Sequence, residues 1–368
     1  MKKRIALLLF TIITITSFAQ HSKADRKAHR DSLLTVKHTI DTNYIREYPE
    51  RFIVTLSTSY RAYHIDQTQS MVSDTLGYSS PAMICNANKS TGASIDLDKI
   101  SFSFGLKTTP STDDQLKKYG PNKYSAFSFG FSEYRFRFET SYRKYQGFYD
   151  DHTARYDTSF HTTGIYWQNP SMLARSYKAK ILWVRNKRHF SYGAAFFNTE
   201  RQLKSAGSIL LVSNFYDYLY SADTSLIPLA SRPFFQKYAY LNRMELTGFS
   251  FGPGYTYTLV IAHTLFLNLT WTAGVDFEHR SMYSYTDGHM PSYWKTAGCG
   301  DLRGAFGANF KYFFWAFTGQ VDYNNYKFTG YTFKPSFWAV DINLGYRFHF
   351  RERKWLKWLK ANKVYQWL

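Results

Sequence analysis

The chain has 368 residues, with 46 Lys and Arg against 27 Asp and Glu for a net charge of +19, and 31 Tyr, 32 Phe and 9 Trp make a fifth of it aromatic. Beyond the N-terminus no stretch stays apolar for the roughly 20 residues a spanning helix needs, which excludes a polytopic helical membrane protein. Aromatic wealth without long apolar runs suits alternating strands with interfacial girdles, and the excess of cations calls for an anionic neighbour.

Residues 1–19, MKKRIALLLFTIITITSFA, combine a basic start, an apolar run from Ile5 to Ile15 and small residues at Ser17 and Ala19. This pattern predicts a secretory leader cut after Ala19. Residues 20–48 are charged and predict a polar periplasmic lead-in whose histidines lack metal-ligand spacing.

From Phe52 onward the pattern has a period of two, that of strands with two different faces. Phe102, Phe104 and Leu106 alternate with Ser101, Ser103 and Gly105, and Phe136 and Phe138 with Arg135, Arg137 and Glu139. Leu265, Leu267, Leu269, Trp271, Ala273, Val275 and Phe277 interleave with polar residues and Gly, as do Trp338 to Phe350. Such runs exceed the 5 or 6 residues usual in soluble sheets and fit the roughly 9 to 11 of a tilted transmembrane strand. A bilayer forbids open sheet edges, so the sheet must close. The predicted fold is therefore all-β, a transmembrane antiparallel β-barrel over residues 49–350, apolar outside and polar within.

Tight turns are predicted near 97–98, 132–133, 186–189, 262–263 and 313–314, and long loops at 64–86, 108–123, 150–170, 204–246, 281–300 and 328–336. These links join about twelve strands and return both ends to the periplasm; an extra hairpin in SILLVSNFYDYL would make fourteen. Asn343, Gly345, Phe348 and Phe350 at the end of the last strand resemble the terminal signal read by the outer-membrane assembly machinery. Residues 351–368 place Trp355, Trp358 and Leu359 on one stripe among lysines. They predict a short basic amphipathic helix, either at the membrane interface or capping the fold.

Three segments carry a family resemblance: Phe190 to Leu211 with its Gln202, Ser205, Gly207 and Ser208 cluster, Tyr145 to Tyr149, and Gly252 to Val260. Together they resemble the family known as domain of unknown function 4421. That resemblance implies a secreted, outer-membrane location in a Gram-negative cell and carries no assigned activity.

Chemistry is sparse. No phosphate-binding loop, dinucleotide fingerprint or zinc spacing occurs, so no cofactor, metal or nucleic-acid partner is expected. His189 and Ser191, with Asn198 beyond, form an H-x-S pair that offers an outer-membrane lipid-modifying esterase as an alternative function. A soluble exported β-sandwich that binds a ligand is the other alternative. Cys85 and Cys299, predicted in loops at one end, are candidates for a single disulfide. Candidate lumen residues are Arg135, Arg137, Glu139, Lys178, Lys180, Asp276, Glu278, Arg303, Lys311, Asp341 and Arg347. Their cation excess predicts a narrow pore for small anionic solutes, or a polar core in which the charges pair and fill the interior. The expected partners are outer-membrane lipid, lipopolysaccharide and the assembly machinery.

Overall fold

The computed structural model describes residues 40–48, 51–69, 78–108, 110–133 and 135–349, all but Ile40 within the compact unit Asp41–Leu368. The predicted leader, the tail with Trp355, Trp358 and Leu359, and Phe350 lie outside the described residues.

Twelve long strands build the fold: β1 (Arg51–Gln69), β2 (Lys89–Leu97), β3 (Ile100–Lys107), β4 (Lys123–Glu133), β5 (Phe136–Asp150), β6 (Gln168–Val184), β7 (Ala206–Ser221), β8 (Leu241–Ile261), β9 (Leu265–Ser284), β10 (Tyr293–Asn309), β11 (Phe313–Tyr323) and β12 (Tyr331–His349). Each pairs antiparallel with its sequence neighbours, and β12 returns to β1 from His349↔Arg51 to Tyr331↔Gln69, closing the ring. The soluble sandwich is thereby excluded, and the count is twelve.

Alternation decides which face is wet. Along β9, Leu265, Leu267, Leu269, Trp271, Ala273, Val275 and Phe277 are exposed while Asn268, Thr270, Asp276 and Glu278 are buried. Twelve residue steps at about 3.4 Å, tilted by about 45°, span roughly 29 Å, close to the roughly 30 Å of bilayer hydrocarbon. Leu56, Phe104, Phe127, Leu211, Leu259 and Leu344 continue this apolar belt on six other strands. In water such a patch would be an aggregation site; around a closed barrel it is a lipid-facing surface.

The ring is not uniform. The short strand Ala82–Cys85 pairs with β1 at Tyr63–Asp66 and with β5 at Tyr149–Asp150, so β3 and β4 are bypassed at the outer end. The ring thus narrows from twelve strands to ten. Where β5 changes neighbour its register shifts between Gln146 and Phe148. Gly147 takes up that bulge at φ +81°, and a Cβ there would run into the Pro121 carbonyl.

Several predicted links differ from the structure: the expected loops at 64–86, 281–300 and 328–336 contain strand, because β1 runs to Gln69, Ala82–Cys85 is a short strand, β9 runs to Ser284, and β10 and β12 start at Tyr293 and Tyr331. The expected loop at 204–246 contains β7, and only residues 222–240 are loop. The expected tight turn at 186–189 opens a long inward link, residues 185–205. Small residues and hydrogen-bonding side chains suit that link to pack within the lumen rather than to extend as a strand. The end of the predicted lead-in also belongs to the fold, because Ile45–Glu47 pairs with Glu200–Gln202 beneath the barrel.

Candidate functional site

The interior has three layers. At the outer end it is apolar rather than polar as the alternation suggested, because the 222–240 loop folds inward. Leu226, Ile227, Phe235 and Tyr238 from that loop pack with Phe148, Met172, Leu241, Met244, Tyr331 and Phe333 from the wall. Gln67 and Asn169 clamp the loop by donating to the carbonyls of Leu226 and Ser225 at 3.0 and 3.1 Å.

The periplasmic end is filled by the 185–205 link and its short helix, α1 (Tyr192–Phe196). Phe196 packs on Phe266, Ala305 and Ala316 of the inner wall, and Phe197 lies under the Arg137 guanidinium, 3.4 Å from its centre. Arg347, fully buried on β12, donates to the Asn198 carbonyl at 2.6 Å, Asn309 Oδ1 at 2.8 Å and the Phe310 carbonyl at 2.7 Å. Gln202 bonds the Ser191 amide at 2.9 Å and the His189 carbonyl at 2.6 Å, and Ser205, Gly207 and Ser208 anchor the link to strand backbone and Asn186.

Between these seals lies a chamber of about 320 Å³. Its β1 to β4 wall is lined by hydroxyls and glycines, including Ser57, Ser59, Ser103, Ser128 and Gly92. The chamber is also lined by six cations, Arg61, Arg137, Arg143, Lys178, Lys180 and Arg303, and four carboxylates, Asp96, Glu139, Asp322 and Asp341, all but Arg61 and Asp96 from outside that wall. Ion pairs cross the lumen: Lys180 to Asp301 at 2.6 Å, Arg303 to Glu139 at 3.7 Å and Arg143 to Asp322 at 3.6 Å tie β5 and β6 to β10 and β11 on the far side. Arg61 reaches Asp341 at 3.5 Å, and Arg137 reaches Glu139 at 2.7 Å. Lys178 faces Asp322 and Asp301 without an ion pair within 4 Å among the described residues. The chamber keeps a surplus of positive charge.

Of the candidate lumen residues, Arg137, Glu139, Lys178, Lys180, Arg303 and Asp341 meet around the chamber. Asp276 and Glu278 lie farther out, where the Tyr216 hydroxyl donates to both at 2.6 and 3.4 Å, and Glu278 also pairs with Arg280. Arg347 holds the periplasmic link. Arg135 and Lys311 must be corrected: both are exposed in turns, where alternation ends. Arg61, Arg143, Asp301 and Asp322 were missed, although Asp301 precedes Arg303 by the two residues that put both on one face.

The cysteine expectation is also corrected. Cys85 ends the short strand Ala82–Cys85, Cys299 sits within β10, and both are free thiols. His189 and Ser191 are not a nucleophile and base. Ser191 is buried, caps α1 by accepting from the Ala194 amide at 2.8 Å, and donates to Glu200. His189 instead packs against Tyr44, the rings tilted by 57°, and faces Asp41 at 3.6 Å. The Asn43 backbone amide holds that partly buried aspartate below its ordinary pKa. On the last strand, Gly345 leaves room for the Phe314 ring and Asn343 donates to Thr318 at 3.2 Å, while Phe348 faces outward.

A closed antiparallel ring with an even strand number, a lipid-facing belt and a polar centre defines an integral outer-membrane β-barrel. The chain belongs to the family described as Domain of unknown function (DUF4421), whose profile matches residues 39–348. No curated protein matches it. Among solved structures it is similar to the outer membrane protease OmpT from Escherichia coli, with 9% identity, TM-score 0.38, 82% of this chain and 97% of that one covered. It is also similar to an outer membrane channel from Pseudomonas putida F1, with 9% identity, TM-score 0.33 and coverage of 83% and 98%. The toluene transporter TodX of Pseudomonas putida follows at 7% identity, TM-score 0.25 and coverage of 82% and 90%.

Proposed function

We propose that the protein is a narrow outer-membrane pore for small anionic solutes, held in an occluded state by its two inward segments. The observation that carries this reading is the chamber itself, with six cations against four lining carboxylates and a fifth, Asp301, paired to Lys180 and Arg303, and with Lys178 in no ion pair within 4 Å among the described residues. Rings of Arg and Lys favour anions because burial in a narrow lumen weakens water screening. The reading assigns no catalysis, since the Ser191 hydroxyl is committed to a helix cap and to Glu200. It includes export by a leader over residues 1–19, recognition of Asn343, Gly345, Phe348 and Phe350 by the assembly machinery, and lipopolysaccharide around the belt.

Planar-bilayer recording in potassium chloride tests the proposal. The expected result is small, chloride-preferring conductance that rises when residues 190–203 are replaced by a short Gly-Ser turn, and that loses anion preference in Lys178→Glu. Silence from both the native and the shortened protein, or a cation preference in the native one, overturns it.

A further inference from the structure

The barrel wall has one incomplete seam. β9 and β10 pair along the whole of β10, from Leu265↔Ala308 to Arg280↔Tyr293. On its other side β10 pairs with β11 only from Asn309↔Phe314 to Asp301↔Asp322. β11 ends at Tyr323, and the chain then stays with β12, through Asn324 donating to the Pro335 carbonyl at 3.2 Å and the pair Tyr326↔Phe333. Among the described residues nothing pairs with this edge of β10 from Tyr293 to Gly300, about 24 Å of strand at 3.4 Å per residue.

The outer end of the seam is bridged. Lys295 donates across it to the Lys327 carbonyl at 3.2 Å, Arg280 donates to the same oxygen at 2.8 Å, and the Tyr293 and Phe328 rings meet edge to face. Below that bridge, Thr296 to Gly300 remain open. Gly298 has nothing within 4 Å of the position a Cβ would take, and Gly300 has only the Thr272 carbonyl. The opening begins just beyond Leu302 and Val321, the last apolar pair facing lipid on the two strands, and Trp294 and Tyr323 flank it. Unpaired backbone in hydrocarbon costs several kcal/mol per group, so such an edge is tolerated only where water reaches it.

Behind the opening lies a second, smaller cavity lined by Cys299, Gly300, Asp301, Tyr323 and Asn324. Among the described residues, the buried acceptors Asn214 Oδ1 and Asp276 Oδ1 on its wall have no hydrogen-bond partner, and Asp301 Oδ1 has only the Arg303 Nε at 3.5 Å. Lys178 and Asp322 line this cavity and the chamber alike, and so stand between the two.

We propose that the seam between β10 and β11 is a lateral, water-filled portal by which a small anionic solute passes between the chamber and the outer side of the membrane, past Lys178. The solute's charge rests on the pore reading above; the portal rests on the pairing. Cys299 is its built-in reporter, half-buried on the cavity wall, whereas Cys85 is fully buried elsewhere and serves as the internal control.

The experiment treats the full-length protein in liposomes with 2-sulfonatoethyl methanethiosulfonate and locates the adduct by peptide mass. Expected is modification of Cys299 and not Cys85 in folded protein, slowed at least tenfold in Gly298→Trp, whose ring covers the opening. Thr296→Trp replaces that variant if it does not keep the folded gel mobility. A Cys299 that reacts only after unfolding overturns the portal, as does an unchanged rate in the tryptophan variant, because the reagent then arrives through a mouth. Absence of chloride conductance with the predicted labelling intact counts against the solute reading and leaves the portal standing.

Discussion

Arg347 shows how one side chain sets the local architecture. Its guanidinium is fully buried, yet three oxygens from the inward link and the β10–β11 turn receive its protons, which is what makes such burial tolerable. Arg347→Met is expected to lower stability by about 3 kcal/mol, the loss of a charged donor set from buried acceptors. A shifted urea midpoint for the folded-to-unfolded gel transition checks it. Gly147 makes a separate demand: its left-handed backbone and the nearby Pro121 carbonyl leave no place for a Cβ. Gly147→Ala is expected to cost about 1–3 kcal/mol in the same assay. Composition marks neither residue. Arg347 appears in sequence only as one more charge on an alternating strand, and Gly147 as one glycine in YQGFY, because both roles depend on partners far away along the chain.

At the scale of elements, sequence period revealed what the bilayer imposes and concealed what packing inside the barrel imposes. Leu265 to Phe277 alternate without a break because lipid rewards every second residue, so β9 was legible from the period alone. Residues 185–205 follow neither period. Their structure depends on Gln202, Glu200 and Asn198 meeting groups on other elements, and the segment therefore passed for a tight turn followed by a strand. The 222–240 loop hid in the same way, since the aromatics that seat it look like any other loop aromatics until their wall partners are known. Ser191 is the sharpest case. Two residues from a histidine it suggests chemistry, whereas its bonds make it a helix cap. Ser191→Ala is accordingly expected to weaken the link by about 1 kcal/mol, as for other N-caps, read as faster proteolysis within 185–205.

For the whole molecule, closure is the property that separates this barrel from any open sheet. Pairing of β1 with β12 along nineteen residue pairs leaves no free end to unzip in cold detergent. The native protein is expected to migrate as a compact species in unheated sodium dodecyl sulfate and to shift on boiling. Cys299 should react as a thiol in the compact species and Cys85 only after the shift, and reductant should not alter the mobility, because the two are unbonded. Closure was readable in advance because strand length follows from hydrocarbon thickness and the ring from the prohibition of edges, whereas the number came from counted links and left twelve and fourteen both open. The charged chamber was readable only in part. Alternation gives the direction in which Lys180 points, but its partner Asp301 lies 121 residues away and is fixed by strand order.

The latch between Arg347 and Asn198 joins the final strand to a segment made midway through the chain. During biogenesis the last hairpin is therefore expected to settle against the first strand together with the central link, for otherwise the buried guanidinium would lose the Asn198 carbonyl and keep only Asn309 Oδ1 and the Phe310 carbonyl. Completion of the wall and seating of the link become one cooperative event, and a prematurely sealed, hollow cylinder is disfavoured by the same bond that keeps the mature one shut.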